Sequence, residues 1–166
     1  MTTRMTYFLS TLILLGCGQT SSTDLKSEST NQVEQTQTTD DLVTGWYYLT
    51  DKENGIEITL KGTEETYFIF QSPIVTVANF TDLEIYQSNY GDYGLTIRLD
   101  EKGTKEWSVA TRKSINKKLA LIIDNELYLT PTVNSQIDVG ITALNRGDLT
   151  EEELKDIKLK IEKEKK

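Results

Sequence analysis

Leu95-Thr-Ile-Arg-Leu-Asp-Glu-Lys-Gly-Thr-Lys-Glu-Trp107 contains the change of periodicity on which the fold turns. Leu95, Ile97 and Leu99 alternate with Thr96 and Arg98, the pattern of a strand with one buried face. Beyond it the apolar spacing lengthens. Trp107, Ala110, Thr111 and Ile115 share one face at three- and four-residue intervals, which predicts a helix over 102–117.

Working toward the N-terminus, the runs 45–50 (GWYYLT), 56–61 (IEITLK) and 66–71 (TYFIFQ) read as strands, with Ile56, Ile58 and Leu60 alternating against polar neighbours. Trp46, Tyr47 and Tyr48 read as core. Asn54-Gly55 is a hairpin turn signal, Pro73 ends the third run, and 74–78 and 83–86 are short extended pieces. Toward the C-terminus, 119–123 and 126–129 flank Asp124-Asn125, which predicts a tight hairpin, and 141–144 is a last strand. A second helix is predicted over 150–163. Thr150 with Glu153 makes a capping box, acids fill the first turn and lysines crowd the end, matching the helix dipole. Leu154, Ile157 and Ile161 form its narrow apolar stripe, which suits packing on a sheet or contact with a partner. The fold class is therefore α+β, a mostly antiparallel sheet with two helices.

The first residues have a different logic. Arg4 lies in a segment without acids, followed by the apolar run 8–15, interrupted by Ser10 and Thr11. This is a leader pattern, and the run is about half the roughly 20 residues that a spanning helix needs. Leu14-Leu15-Gly16-Cys17 looks like the lipobox of bacterial lipoproteins, so 1–16 is expected to be removed and Cys17 acylated. Stable anchoring takes more than one acyl chain, at about 0.8 kcal/mol per buried methylene, and the lipoprotein pathway attaches several. The polar stretch that follows has Leu25 and Val33 as its sizeable apolar residues. It predicts a flexible linker over 17–41 that spans roughly 25–30 Å on average, ahead of one domain over 42–166. Gly18 stands where an Asp would signal inner-membrane retention, so in a Gram-negative host the expectation is the outer membrane, facing the periplasm.

Composition narrows the chemistry. Asp and Glu outnumber Lys and Arg by 26 to 18, leaving a net charge of −8, which argues against a nucleic-acid partner. With no His, and Cys17 as the one Cys, the chain lacks the parts for Ser-His-Asp or Cys-His catalysis, a His-ligated zinc site or an internal disulfide.

The stretch Leu95 to Trp107, then Thr111, then Lys118-Leu-Ala-Leu-Ile-Ile-Asp-Asn-Glu126, then Thr130-Pro131 resembles the head subdomain of the first periplasmic domain of SecD, the auxiliary subunit of bacterial protein export. That family shows a strand ending in Leu-Asp, a Gly opening a helix, a Thr within it, an apolar strand into Asp-Gly or Asp-Asn, and a Pro after the next strand. Gly147-Asp-Leu-Thr-Glu-Glu-Glu153 is similar to its closing motif. The resemblance covers about 90 residues from Pro73 onward. It implies the fold and a habit of contacting unfolded or exported polypeptide. Neither the membrane bundle nor the base subdomain of complete SecD is expected, so proton-driven translocation is not implied.

Tyr86, Tyr90 and Tyr93, set among Asn, Gly and Asp, are the candidate binding residues. Tyrosines on such a loop make low-entropy contacts with peptides or sugars, or else they cover the edge of the core. Asp82, Glu84, Asp92, Asp100, Asp124 and Asp138 fall in no calcium-loop spacing and suit turns and caps. Ser108, Lys113 and Ser114 make no Ser-Lys motif. No catalytic residue, metal site or cofactor is assigned. The expectation is a non-enzymatic envelope lipoprotein, membrane-attached through its lipid, that binds proteins or peptides and has export machinery as a possible partner class. An immunity or inhibitor lipoprotein and a carboxylate-based glycan hydrolase are the alternatives. The hydrolase requires two carboxyl groups about 5 to 9.5 Å apart.

Overall fold

The computed structural model describes residues 42–166. The leader, Cys17 and the linker lie outside the described residues. Nine strands, β1 (Gly45–Tyr48), β2 (Ile56–Thr59), β3 (Thr66–Ile69), β4 (Val75–Thr76), β5 (Phe80–Gln87), β6 (Tyr93–Leu99), β7 (Leu119–Ile123), β8 (Glu126–Leu129) and β9 (Ile141–Leu144), are joined by helices α1 (Glu101–Lys113) and α2 (Glu151–Glu164). The strands form sheets in the orders β4-β1-β7-β8, β2-β3 and β5-β6-β9, every ladder antiparallel. The α+β architecture read from the sequence is the one observed.

Strand β7 (LALII) lacks polar alternation because both of its faces are covered. Leu119, Leu121 and Ile123 point into the main core with Trp46, Trp107 and the α2 stripe. Ala120 and Ile122 point the other way, into a smaller core with Tyr47, Ile56, Ile58 and Ile69. Period-2 geometry makes neighbours on β1 diverge in the same way, so Trp46 and Tyr47 serve different cores. Burial, with the nearby Glu164 carboxylate, pushes the Tyr47 phenol up to about 12, against a hydrogen bond it donates to the Val43 carbonyl at 2.7 Å.

The local signals decide the helix ends. Asp100 caps α1, its Oδ1 accepting the Gly103 amide at 2.6 Å. Gly103 is required there because a Cβ would lie 2.8 Å from the Cβ of Asn79. The Thr150 and Glu153 box forms as expected, with Glu153 Oε2 accepting the Thr150 amide at 2.8 Å and Thr150 Oγ1 accepting the Glu153 amide at 3.2 Å. Leu154, Ile157 and Ile161 are buried on the sheets, so packing is the use made of that stripe.

Two expectations are corrected. Asn54-Gly55 forms a turn but joins no hairpin, because β1 is occupied by β4 and β7. The hairpin is instead β2–β3, across Gly62. Helix α1 stops at Lys113, where Ser114 is its cap and Asn116 adopts φ +63°, so Ile115 leaves the helical face and is 41% exposed. By contrast, Asp124 (φ +52°) and Asn125 (φ +61°) make the predicted two-residue turn between paired β7 and β8, both with the positive φ of a type I′ turn. At Asn116, where the left-handed conformation is intrinsic to the chain path, Asn116→Ala is expected to lower unfolding free energy by about 1 kcal/mol while Asn116→Gly is neutral or stabilising. Urea denaturation of both variants checks this ordering.

Candidate functional site

The tyrosines read as one group are separated by strand geometry. Tyr90 sits at the tip of the β5–β6 connection and is 93% exposed. Tyr93 lies within β6, opposite Gln87, on the face with Leu95 and Ile97, and packs half-buried against the main core. Tyr86 pairs with Gly94 on the opposite face. Its ring covers that glycine so closely that a Cβ would lie 2.5 Å from it, and its hydroxyl accepts Asn145 Nδ2 at 3.2 Å.

Four of the six acidic candidates are engaged. Asp82 and Glu84 face Arg98 at 3.7 and 3.9 Å, Asp100 caps α1, and Asp124 meets Lys160 Nζ at 2.8 Å. A charged cluster ties the β2–β3 hairpin to β8 and α2. Lys61 Nζ reaches Glu126 Oε2 at 2.5 Å and the Tyr128 hydroxyl at 3.0 Å, and Tyr128 donates to Glu126 at 3.2 Å. The Lys61 hydrogen bond holds the Glu126 carboxyl below its ordinary value, against burial. Burial pulls Lys61 down, but its bonds to Glu126 and Tyr128 outweigh that and leave it raised.

A cavity of about 500 Å³ opens between the edges of two sheets. Trp46 and Trp107, whose ring centroids lie 4.9 Å apart, are at its base. Leu129 and Pro131 stand on one side and Ile141 and Ala143 on the other. The segment after Pro131 closes one flank and is pinned to α1: Ile137 N–H donates to Thr111 Oγ1 at 3.0 Å, and Gln136 donates to Ser108 Oγ at 2.7 Å. Thr111 Oγ1 in turn donates to the Trp107 carbonyl at 2.9 Å. Both indole Nε1 atoms are buried and lack a hydrogen-bond partner. Sequence reading missed this cavity because its walls come from positions 46, 107, 129–137 and 141–143, and no local pattern joins them.

Residues 50–164, more than half of the chain, match the family described as SecDF, P1 head subdomain. The chain belongs to the SecDF P1 head family. The match starts well before Pro73, so the β2–β3 hairpin belongs to the SecDF head as fully as the helices do. The SecD subunit of the protein translocase of Calditerrivibrio nitroreducens is 25% identical over 92 residues, which is 55% of this chain and 18% of that protein. The SecDF subunit of Thermus thermophilus is 28% identical over 87 residues, 52% of this chain and 12% of that protein. The chain thus spans less than a fifth of the length of either relative. SecDF in a super-membrane-facing form superposes with a TM-score of 0.58 at 19% identity, covering 72% of this chain and 18% of that one. A second structure, of a SecDF membrane component that enhances protein export, gives 0.58 at 18% identity over 72% and 61% of the two chains. Those two likenesses establish the fold. Among the described residues no helix of this SecDF head is long and apolar enough to cross a membrane.

The Glu126 cluster gives a pH-dependent expectation. Because pairing holds the folded-state carboxyl below 4.5, its stabilisation is present above that value and fades as pH falls through the lower folded one. Glu126→Gln is expected to cost less than about 1 kcal/mol at neutral pH, since the pair is largely solvent-screened. The difference from the parent should shrink toward pH ~3 in urea titrations; a difference independent of pH contradicts the assignment.

Proposed function

We propose that the protein is an envelope lipoprotein whose SecDF-type head contacts polypeptide near a membrane in connection with protein export, without catalysing a reaction. The observation that carries the reading is the family match over residues 50–164, joined to relatives named as subunits of the protein translocase. In this reading Cys17 carries the acyl anchor, 18–41 is the tether, and Tyr86, Tyr90 and Tyr93 belong to the contact surface. In a Gram-negative host, Gly18 directs the protein to the outer membrane, where it faces the periplasm. The 93% exposure of Tyr90 supports its part, since an aromatic ring held in water on a turn gains most from covering by a partner. Tyr93, half-buried, contributes from the margin.

Two measurements test this. Cys17→Ser is expected to abolish incorporation of labelled palmitate and to move the protein from the membrane to the soluble fraction; unchanged membrane association contradicts the anchor. A photoreactive residue placed at 90, and in a separate strain at 86, is expected to capture chains in transit or components of the export machinery in cells. A lipidated, correctly folded protein that captures no polypeptide at either position contradicts the contact role.

A further inference from the structure

The connection between β1 and β2 holds the chain's one Asn-Gly pair, Asn54-Gly55, in a main-chain geometry that leaves it reactive. Residues 51–54 are exposed and form a turn in which the Asn54 amide donates to the Asp51 carbonyl at 3.3 Å and to Asp51 Oδ1 at 3.1 Å. Asn54 Nδ2 donates to the same Oδ1 at 2.7 Å. The next amide is placed differently. Phe70 N–H donates to the Tyr48 carbonyl and the Phe68 carbonyl accepts from Thr50, so these two residues turn their polar groups toward β1. Residues of an antiparallel ladder alternate in this respect. Ile69 therefore faces β2 and pairs with Ile56, while Gly55, one position earlier, points its N–H away from β3. Among the described residues no acceptor holds that N–H. Crowding fixes glycine at this position, since a Cβ would lie 2.6 Å from Thr50 Cγ2 and 2.8 Å from the Cβ of Phe68. The side chain that would shield Asn54 from the nitrogen of the following residue is thus one that the packing forbids.

We propose that Asn54 is a site of spontaneous covalent modification, deamidating through a succinimide to aspartate and isoaspartate. Base removes the Gly55 amide proton, and the nitrogen attacks Asn54 Cγ. The N–Cγ bond forms as the Cγ–Nδ2 bond breaks, and ammonia departs with a proton taken from water. A water molecule then opens the imide. Addition at Cγ gives aspartate, and addition at the main-chain carbonyl gives isoaspartate, in which the chain runs through the former side chain. Overall an amide and a water become a carboxylate and an ammonium, with no other reactant. The bare Gly55 backbone supplies the freedom that ring closure needs, and the exposed turn admits water. Either product puts a carboxylate where Asn54 Nδ2 now donates to Asp51, so two like charges meet across the turn. Isoaspartate also lengthens the main chain just ahead of Ile56, which is buried in the smaller core, so the start of β2 loosens. The site is independent of the polypeptide contact proposed above.

The test incubates the full chain in detergent micelles, at neutral and at mildly alkaline pH, in water labelled with heavy oxygen. Each Asn is followed by peptide mapping and mass spectrometry, isoaspartate is counted by enzymatic methylation of its carboxylate, and the chain in urea serves as the unfolded control. Asn54 is expected to convert at least tenfold faster than Asn89 or Asn134, which are also exposed in loops, with one solvent oxygen incorporated and a rate that rises with pH. In Asn54→Gln, where the longer side chain must close a larger ring, conversion at 54 should slow at least tenfold while the circular dichroism stays that of the parent. Asn54 that stays intact in the folded chain but converts in urea means that the turn protects it, and overturns the proposal. Faster conversion at another Asn overturns the assignment. A rate indifferent to pH, or undiminished in Asn54→Gln, overturns the imide route.

Discussion

The contact between Trp46 and Trp107, at 4.9 Å between ring centroids, is the constraint around which the domain is arranged. Trp46 lies on β1, between β4 and β7, and Trp107 lies on α1, so the pair fastens the first helix to the four-stranded sheet. Rings of this size bury about 150–250 Å² each, worth roughly 4–6 kcal/mol apiece at ~25 cal/mol per Å² as an upper bound. The main core continues from them through Leu95, Ile97 and Leu144 to the buried stripe of α2. With no disulfide available to a chain whose one Cys is Cys17, this burial carries the stability of the fold. The same two residues line the cavity between the sheet edges, so the packing that holds the domain also shapes that cavity.

Much of the fold was legible where a short signal has one physical solution. Asp124-Asn125 between two apolar runs requires two residues at positive φ, and the turn forms there. Thr150 with Glu153 specifies a helix start by satisfying two amides at once. Strands 95–99, 119–123 and 141–144 were placed correctly or nearly so because their apolar patterns are dense. Asn54-Gly55 misled because turn chemistry says nothing about which strands are free to pair, and β1 already has partners on both sides. Ile115 misled because helical spacing continues in the sequence one residue past the buried Ser114 cap.

The binding surface was less readable for a related reason. Proximity in sequence grouped Tyr86, Tyr90 and Tyr93, but the pairing of Tyr86 with Gly94 and of Gln87 with Tyr93 turns the first and last rings to opposite faces of one hairpin. The cavity, conversely, joins residues almost a hundred positions apart. A sheet edge is a property of topology, fixed by which strand has no second neighbour, and a single sequence does not announce it. The resemblance to SecD heads from Pro73 onward did supply the fold, and the family match extends it back to residue 50.

The account rests most heavily on the strand order, in which β9 ends its sheet beside the paired tryptophans. The direct measurement is amide hydrogen exchange, residue by residue along β9, on the free protein without ligand. Thr142 and Leu144, bonded to β6, should exchange slowly, and Ile141 and Ala143 faster by at least an order of magnitude. Equal protection at all four positions would mean that the edge is already covered, and would contradict the account.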